Sequence, residues 1–243
     1  VPVPQRYDPE LHMARFVGDD VGEHLLEERF VRGLADGGEG ADTLSFAGSA
    51  SGLTVALRAG EAAIISGTDT QGMTATGFEN VTGSAYADRI VGDDGSNVID
   101  GGVGDDRIAG GLGADRIFGG EGNDWISGGA GADVLDGGDG LDTLSYASSA
   151  AGVTVTLNGS AAATVSGGDA EGDTATGFEN VDGSAFDDTL TGDGGANVIA
   201  GGAGYDTLNG GAGDDLLIGG AGADTIDGGE GIDTVSYEAS AER

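Results

Sequence analysis

The sequence predicts an all-β fold: a parallel β-roll, or right-handed β-solenoid, of nine-residue repeats with a short N-terminal helical cap. Units of the form Gly-Gly-x-Gly-x-Asp-x-aliphatic-x follow one another without gaps in two long blocks. The 243 residues include 52 glycines but only 5% aromatic residues, too few large side chains for a conventional core. The formal net charge is −34, so the chain by itself should repel compaction.

The first segment, residues 1–36, differs in composition from the rest. Residues 20–34 have the pattern of an amphipathic helix, with Val21, Leu25 and Leu26 on one face. Terminal coils of a solenoid expose their core and need a cap. We therefore expect residues 1–36 to be a cap or the tail of an upstream domain.

The repeats and spacers follow in a fixed order. We assign residues 37–82 to a lone repeat plus a β spacer, 83–145 to the first block, 146–182 to a second spacer, 183–236 to the second block and 237–243 to a truncated spacer. The spacers are copies of each other, since TATGFENV at position 74 returns at position 174.

Two interpretations of the spacers are open. The preferred one is that they form irregular coils that bind no metal and continue the solenoid. The other is an extra metal site in the second copy, at Asp169, Glu171 and Asp173. The first copy has Asp69, Gln71 and Met73 in those places, so such a site would be confined to the second copy.

The last three residues of each unit predict a short strand whose middle residue points inward, because strand side chains alternate between faces. Two units then make one coil, and coils stack at about 4.8 Å. The predicted inward residues are Ile90, Ile99, Ile108, Ile117, Ile126, Leu135, Leu144, Leu190, Ile199, Leu208, Leu217, Ile226 and Val235.

The first six residues of each unit predict a turn in which Gly permits unusual backbone angles and the sixth residue supplies a carboxylate. Ca²⁺ takes six to eight oxygen ligands and accepts carboxylates and carbonyls together. The predicted carboxylate ligands are Asp88, Asp106, Asp115, Asp124, Asp133, Asp142, Asp188, Asp206, Asp215, Asp224 and Asp233. The predicted carbonyl ligands include those of Gly101, Gly102, Gly110, Gly111, Gly119, Gly120, Gly128, Gly129, Gly201, Gly202, Gly210, Gly211, Gly219 and Gly220.

This tandem unit resembles the hemolysin-type calcium-binding nonapeptide of the RTX (repeats-in-toxin) family. The resemblance implies several calcium ions, each between neighbouring turns of one edge. One edge then carries Asp88, Asp106, Asp124 and Asp142, and the opposite edge Asp115 and Asp133; in the second block the edges carry Asp188, Asp206 and Asp224, and Asp215 and Asp233. It also implies a bacterial protein, secreted by a type I system, that is extracellular or at the cell surface.

Some units depart from the pattern. Asn97 and Asn197 replace the sixth Asp, and Ser84 and Ser184 replace the second Gly. We expect weaker or absent calcium at these turns. The weaker candidates for metal ligands are these two Asn residues, Asn97 and Asn197, together with Asp42 of the lone unit and Asp169 and Asp173 of the second spacer.

The sequence favours a non-catalytic module. It has no Cys and no Lys, and no arrangement typical of a nucleophile with its base. Its acidity argues against nucleic acid, and no apolar run is long enough for membrane insertion. We expect a monomer that serves secretion, folding or spacing in a larger protein. The alternatives are an accessory module that stabilises an appended secreted enzyme, or an adhesin or ice-binding surface.

Overall fold

The computed structural model describes residues 15–17, 34–68, 70 and 73–236. These residues form short strands and one 3₁₀ turn, η1 (Gly168–Ala170). Up to the first block the strands are β1 (Arg15–Val17), β2 (Leu34–Asp36), β3 (Thr43–Ser45), β4 (Thr54–Ala56), β5 (Ile64–Ser66), β6 (Thr74–Thr76) and β7 (Asn80–Thr82).

The remaining strands belong to the two blocks and the second spacer. The first block contains β8 (Arg89–Val91), β9 (Val98–Val103), β10 (Arg107–Leu112), β11 (Arg116–Glu121), β12 (Trp125–Ala130), β13 (Val134–Asp139) and β14 (Thr143–Ser145). The spacer contains β15 (Thr154–Asn158), β16 (Ala161–Ser166), β17 (Thr174–Thr176) and β18 (Asn180–Asp182). The second block contains β19 (Thr189–Thr191), β20 (Val198–Ala203), β21 (Thr207–Asn209), β22 (Leu216–Ala221), β23 (Thr225–Asp227) and β24 (Thr234–Ser236).

Every second strand of a block stacks in parallel register, which makes the all-β parallel roll that the repeats predict. Ile108 of β10 lies opposite Ile90 of β8 and Ile126 of β12. Each coil therefore consists of two nonapeptides with one strand on each face. We call the two faces face I, which includes β9, β11 and β13, and face II, which includes β8, β10 and β12.

The predicted inward residues form the core between the faces. The seven of the first block are all fully buried, and Leu190, Ile199 and Leu217 are equally so. At the end of the second block, two residues that were predicted to point inward are not fully buried. Ile226 is only partly buried, and Val235 is 38% exposed, because its strand β24 is the edge strand of its sheet and pairs on one side only, with β22.

Several repeat strands are longer than predicted. Instead of three residues, β9 to β13, β20 and β22 contain six, because the ladder continues through the Gly-Gly pair of the next unit. Gly111 of β10, for example, lies in register with Gly129 of β12. Because the Gly-Gly pairs are themselves part of the ladder, the turns of neighbouring coils also stack in register.

The spacers continue the solenoid. Strands β17 and β18 pair in parallel with β13 and β14. Each spacer also inserts an antiparallel hairpin, β4–β5 in the first copy and β15–β16 in the second. Because the first block has an odd number of units, the two hairpins fall on opposite faces: β4 pairs with β8 on face II, whereas β16 lies against β17 on face I.

At the N-terminus, β1 pairs antiparallel with β3. The predicted helix over residues 20–34 lies outside the described residues, except for Leu34. That residue begins β2 rather than ending a helix, because it pairs with Thr74 of β6. No described segment is a helix long and apolar enough to cross a membrane.

Candidate metal centre

The sixth-position aspartates form two stacked columns, one along each edge of the roll. On one edge the backbone amide of Asp106 donates to Asp124 Oδ1 at 2.8 Å, and the amide of Asp124 to Asp142 Oδ1 at 2.7 Å. On the other edge the amide of Asp115 donates to Asp133 Oδ1 at 2.8 Å. The structure thus brings together the neighbours that the repeat register pairs, 18 residues apart.

The second block has the same two columns. The amide of Asp188 donates to Asp206 Oδ1 at 2.9 Å. The corresponding contacts near the end are longer, with Asp206 to Asp224 and Asp215 to Asp233 both at 3.1 Å.

The second carboxylate oxygen of most of these aspartates is buried without a partner. In each case Oδ1 accepts the amide of the preceding coil, whereas Oδ2 is sealed from solvent and accepts no hydrogen bond. A buried charged oxygen in this state is costly and is the chemistry that a cation would satisfy. The aspartates with such an oxygen are Asp106, Asp115, Asp124, Asp133, Asp142, Asp206 and Asp215.

Backbone carbonyls face the same space as these oxygens. A Cβ built on Gly101, the first Gly of its unit, would collide with both Asp106 Oδ2 and the carbonyl oxygen of Gly119 in the next coil. Gly210 is placed in the same way against Asp215 Oδ2 and the Gly228 carbonyl. The absent side chain of the first Gly therefore leaves a slot lined by a carboxylate and a carbonyl, the oxygen ligands that suit Ca²⁺.

The predicted carbonyl ligands fall into two sets. First-Gly carbonyls at Gly119, Gly128 and Gly219 face the unpartnered carboxylate oxygens, and so do those of Gly137 and Gly228, which were not predicted. The predicted carbonyls of Gly101 and Gly201 lie instead beside Asp88 and Asp188, and those of Gly110 and Gly210 beside Asn97 and Asn197. Second-Gly carbonyls, such as those of Gly102 and Gly202, lie instead against the backbone of the second Gly in the next coil. There a side chain would be strained as well as crowded, since Gly120 and Gly220 have φ of 117° and 90°.

Burial makes these carboxyls reluctant to ionise. It raises the pKa of Asp106 to about 7 and the pKa values of Asp115, Asp142 and Asp206 to about 6, and neighbouring carboxylates add to the rise. Burial also raises the pKa of Asp124 and of Asp133. All of these shifts refer to the metal-free chain, in which no positive charge offsets the desolvation.

In the part of the chain that the structure describes, no ion pair joins an Arg to an aspartate of the two columns. Within residues 34–68, 70 and 73–236 the one ion pair joins Arg58 and Glu61 at 3.6 Å, on the surface. The guanidinium of Arg107 lies 3.7 Å from the ring centre of Trp125, not on an aspartate. In the same part of the chain, three or more acidic or His side chains nowhere gather closely enough to hold an ion by themselves. Any ion would therefore need turn carbonyls as well as carboxylates.

The degenerate turns satisfy their own polar atoms. Asn97 Oδ1 accepts the amide of Asp93 at 2.9 Å, and its Nδ2 donates to the Glu79 carbonyl at 2.7 Å. Asn197 repeats both contacts with Asp193 and Glu179. The amide group thus fills the role that a cation would have, which supports the expectation of weak or absent calcium there.

Asp88 and Asp188 also have partners for both oxygens. The amide and hydroxyl of Ser84 donate to Asp88 at 2.5 and 3.0 Å, and the amide of Leu53 donates to Asp88 Oδ1 at 2.8 Å. Ser184 and Val153 do the same for Asp188. Asp88 and Asp188 therefore accept hydrogen bonds from the Ser that replaces the second Gly and from the residue just before the first hairpin strand.

Three acidic residues outside the motif occupy sixth positions. Glu79 Oε2 accepts the amide of Asp42 and Glu179 Oε2 that of Asp142, both at 2.9 Å, and Asp173 Oδ1 accepts the amide of Asp133 at 2.8 Å. Glu79 and Glu179 were missed because the turn before them is shortened. The signal for Asp173 was its place before Thr-Ala-Thr, which aligns residues 168–176 with a nonapeptide.

Comparison with protein families agrees with this geometry. The RTX calcium-binding nonapeptide repeat matches four times, at residues 82–117, 109–144, 173–208 and 206–235. Together these segments cover just over half of the chain. A search of curated proteins found no match. The stacked turns, the buried carboxylate oxygens and the four matches place the chain in the family of RTX calcium-binding nonapeptide repeat proteins.

Proposed function

We propose that this calcium-binding β-roll is a folding switch in a larger secreted bacterial protein, expanded where calcium is scarce and folded outside the cell. It serves secretion, folding or spacing and has no catalytic role of its own. The observation that carries the proposal is the set of seven carboxylate oxygens buried without partners. Their burial is unfavourable in a chain of net charge −34 unless a cation accompanies it.

Each residue of the unit has a different role in the site. The first Gly has no side chain, so a slot remains open beside it; the first Gly of the next coil contributes a carbonyl, and the sixth Asp contributes Oδ2. Bound calcium supplies the positive charge that offsets the desolvated carboxylates. Because the slot lies between two coils, binding free energy becomes folding free energy.

A calcium titration followed by far-UV circular dichroism and small-angle scattering tests the proposal. We expect an expanded chain in EGTA and a cooperative gain of β-structure at about 10⁻⁴–10⁻³ M calcium, the range of extracellular modules. Magnesium, the control, should produce little change because it prefers near-ideal octahedral geometry and keeps its waters. A chain that stays compact and β-rich in EGTA, with no metal by mass spectrometry, would contradict the switch.

A second candidate, a surface that binds an ordered lattice such as ice, has one observation in its favour. On face I of the second half, exposed threonines stand in register: Thr154 of β15 opposite Thr189, Thr189 opposite Thr207, and Thr207 opposite Thr225. The first block has Val98, Arg116 and Val134 at the equivalent places. A measurement of thermal hysteresis in calcium, with Thr189→Lys and Thr207→Lys together as the disrupted variant, decides this candidate.

A further inference from the structure

One turn of the second spacer stacks on the calcium columns as if it were a further repeat. Strand β17 pairs with β13 so that Thr174 lies opposite Val134 and Ala175 opposite Leu135. Asp173 thereby lies in the sixth position, and its Oδ1 accepts the amide of Asp133 at 2.8 Å. This contact reproduces, at the same distance, the one that Asp133 makes with the preceding coil.

The buried oxygen of Asp133 lies beside Gly128, the first Gly of its own unit, in the turn on which the spacer turn stacks. Asp133 is 1% exposed and its Oδ2 has no partner. In the repeats, the equivalent oxygen and a carbonyl of the next coil line the same slot. At Asp133 the next coil is instead the spacer turn of residues 168–173. That turn approaches closely, since a Cβ on Gly172 would lie 3.0 Å from the Cβ of Ala132.

Further oxygen groups lie at the same junction. Tyr146, 1% exposed, donates its hydroxyl to Asp173 Oδ2 at 3.0 Å. Asp169 lies in η1, which packs against β12, and its backbone amide donates to Ser149 Oγ at 3.0 Å. After burial, the charge of Asp169 is a further cause of the raised pKa of Asp133, of Asp173 and of Tyr146. Glu171 is not among these groups, because its carboxylate accepts the amide of Gly167 within its own turn.

We infer that one more calcium ion binds at this junction, between Asp133 and the spacer turn of residues 168–173. Asp133 Oδ2 and the carboxylate of Asp169 are its side-chain ligands, while Tyr146 fixes the orientation of Asp173 beside them. Like the repeat sites, it draws on backbone carbonyls. The first spacer has Phe46 and Met73 in place of Tyr146 and Asp173, so the extra ion belongs to the second copy only.

This inference rests on the proposed function, because a chain that binds no calcium has no extra site. The test is native mass spectrometry and isothermal titration calorimetry of the whole chain in calcium. The variant Asp169→Asn with Asp173→Asn keeps the size of both side chains and an acceptor for the Asp133 amide. We expect it to bind one ion fewer than the wild type, or to bind that ion at least tenfold more weakly.

The control is Asp214→Asn, which removes a charge from an exposed side chain of the second block, keeps an acceptor for the amide of Ile232 and should leave the ion count unchanged. An equal count and equal affinities in the wild type and the double variant overturn the extra site while leaving the switch intact. A wild type without bound calcium refutes the switch itself. If the double variant does not fold in calcium, Asp169→Asn alone decides, and unchanged binding in it overturns the inference.

Discussion

At the scale of single residues, the two oxygens of one carboxylate have different tasks. Asp106 Oδ1 accepts the amide of Asp88 at 2.7 Å, while Oδ2 is buried without a partner. We predict that Asp106→Asn lowers calcium affinity on its edge about tenfold or more and yet stabilises the metal-free roll. The second effect follows because the substitution removes the charge of a carboxylate whose Oδ2 is buried without a partner, and a buried unsatisfied group costs about 1–3 kcal/mol, more when it is charged.

The matched control is the residue before it. Asp105 is exposed and accepts the amide of Asn123 at 2.8 Å through Oδ1, so Asp105→Asn removes the same charge and keeps the same acceptor. Because Asp105 acts on Asp106 and Asp124 only through its charge, calorimetric titration should show a much smaller loss of calcium affinity than for Asp106→Asn, and the residual dichroism in EGTA should be close to that of the wild type. Equal losses of calcium affinity in both variants would mean that total charge, not the buried oxygen, controls binding.

At the scale of the element, the turn depends on an absent side chain. A Cβ on Gly119 would collide with Asp124 Oδ2 and with the Gly137 carbonyl, the two oxygens that line one slot. We predict that Gly119→Ala lowers the free energy of unfolding in saturating calcium by about 1–3 kcal/mol or more, the usual result of overpacking. It should also lower calcium affinity. Thermal denaturation followed by circular dichroism measures the first effect.

The chain provides its own reference for this substitution. Gly194 belongs to the degenerate turn of the second block and has an ordinary φ. A Cβ built on it would have no neighbouring atom within 4 Å. Gly194→Ala should therefore change stability by less than about 0.5 kcal/mol, as surface substitutions generally do. A comparable loss in both variants would show that filling the slot is not the cause, since neither Gly has a positive φ.

The limits of sequence-based prediction also belong to this scale. The inward column from Ile90 to Leu144 could be predicted because strand alternation is local, and the column neighbours followed from a strict period. The hairpins β4–β5 and β15–β16 could not, because the alternation in LTVAL and VTVTL indicates a strand but not its partner. The capping of Asp88 by Ser84 depends on a contact within one turn that no periodicity reveals.

At the scale of the whole molecule, charge and fold are coupled. From Phe118 to Glu242 the sequence contains no Lys or Arg, so protein cations cannot compensate the second block. Its stability must depend on what binds the carboxylates, and two agents are available: metal ions and protons. Both should favour the compact roll, and they should compete for the same oxygens.

This competition gives a prediction for pH. Burial raises the folded-state pKa of Asp106 to about 7 and those of Asp115, Asp142 and Asp206 to about 6, from 3.8. The folded metal-free chain therefore binds more protons than the unfolded chain. These groups favour folding fully at low pH, and their contribution is lost as pH rises through about 6 to 7.

Metal-free protein should accordingly gain β-structure between pH 8 and pH 5, as followed by far-UV circular dichroism. Over the same interval its calcium affinity should fall, because each ion must displace protons. Asp106→Asn should show a smaller response to pH in both measurements, since the group with the largest of these pKa values is gone. A metal-free chain that loses structure on acidification would show that ionised carboxylates stabilise the roll, and the account of buried, uncompensated oxygens would be wrong.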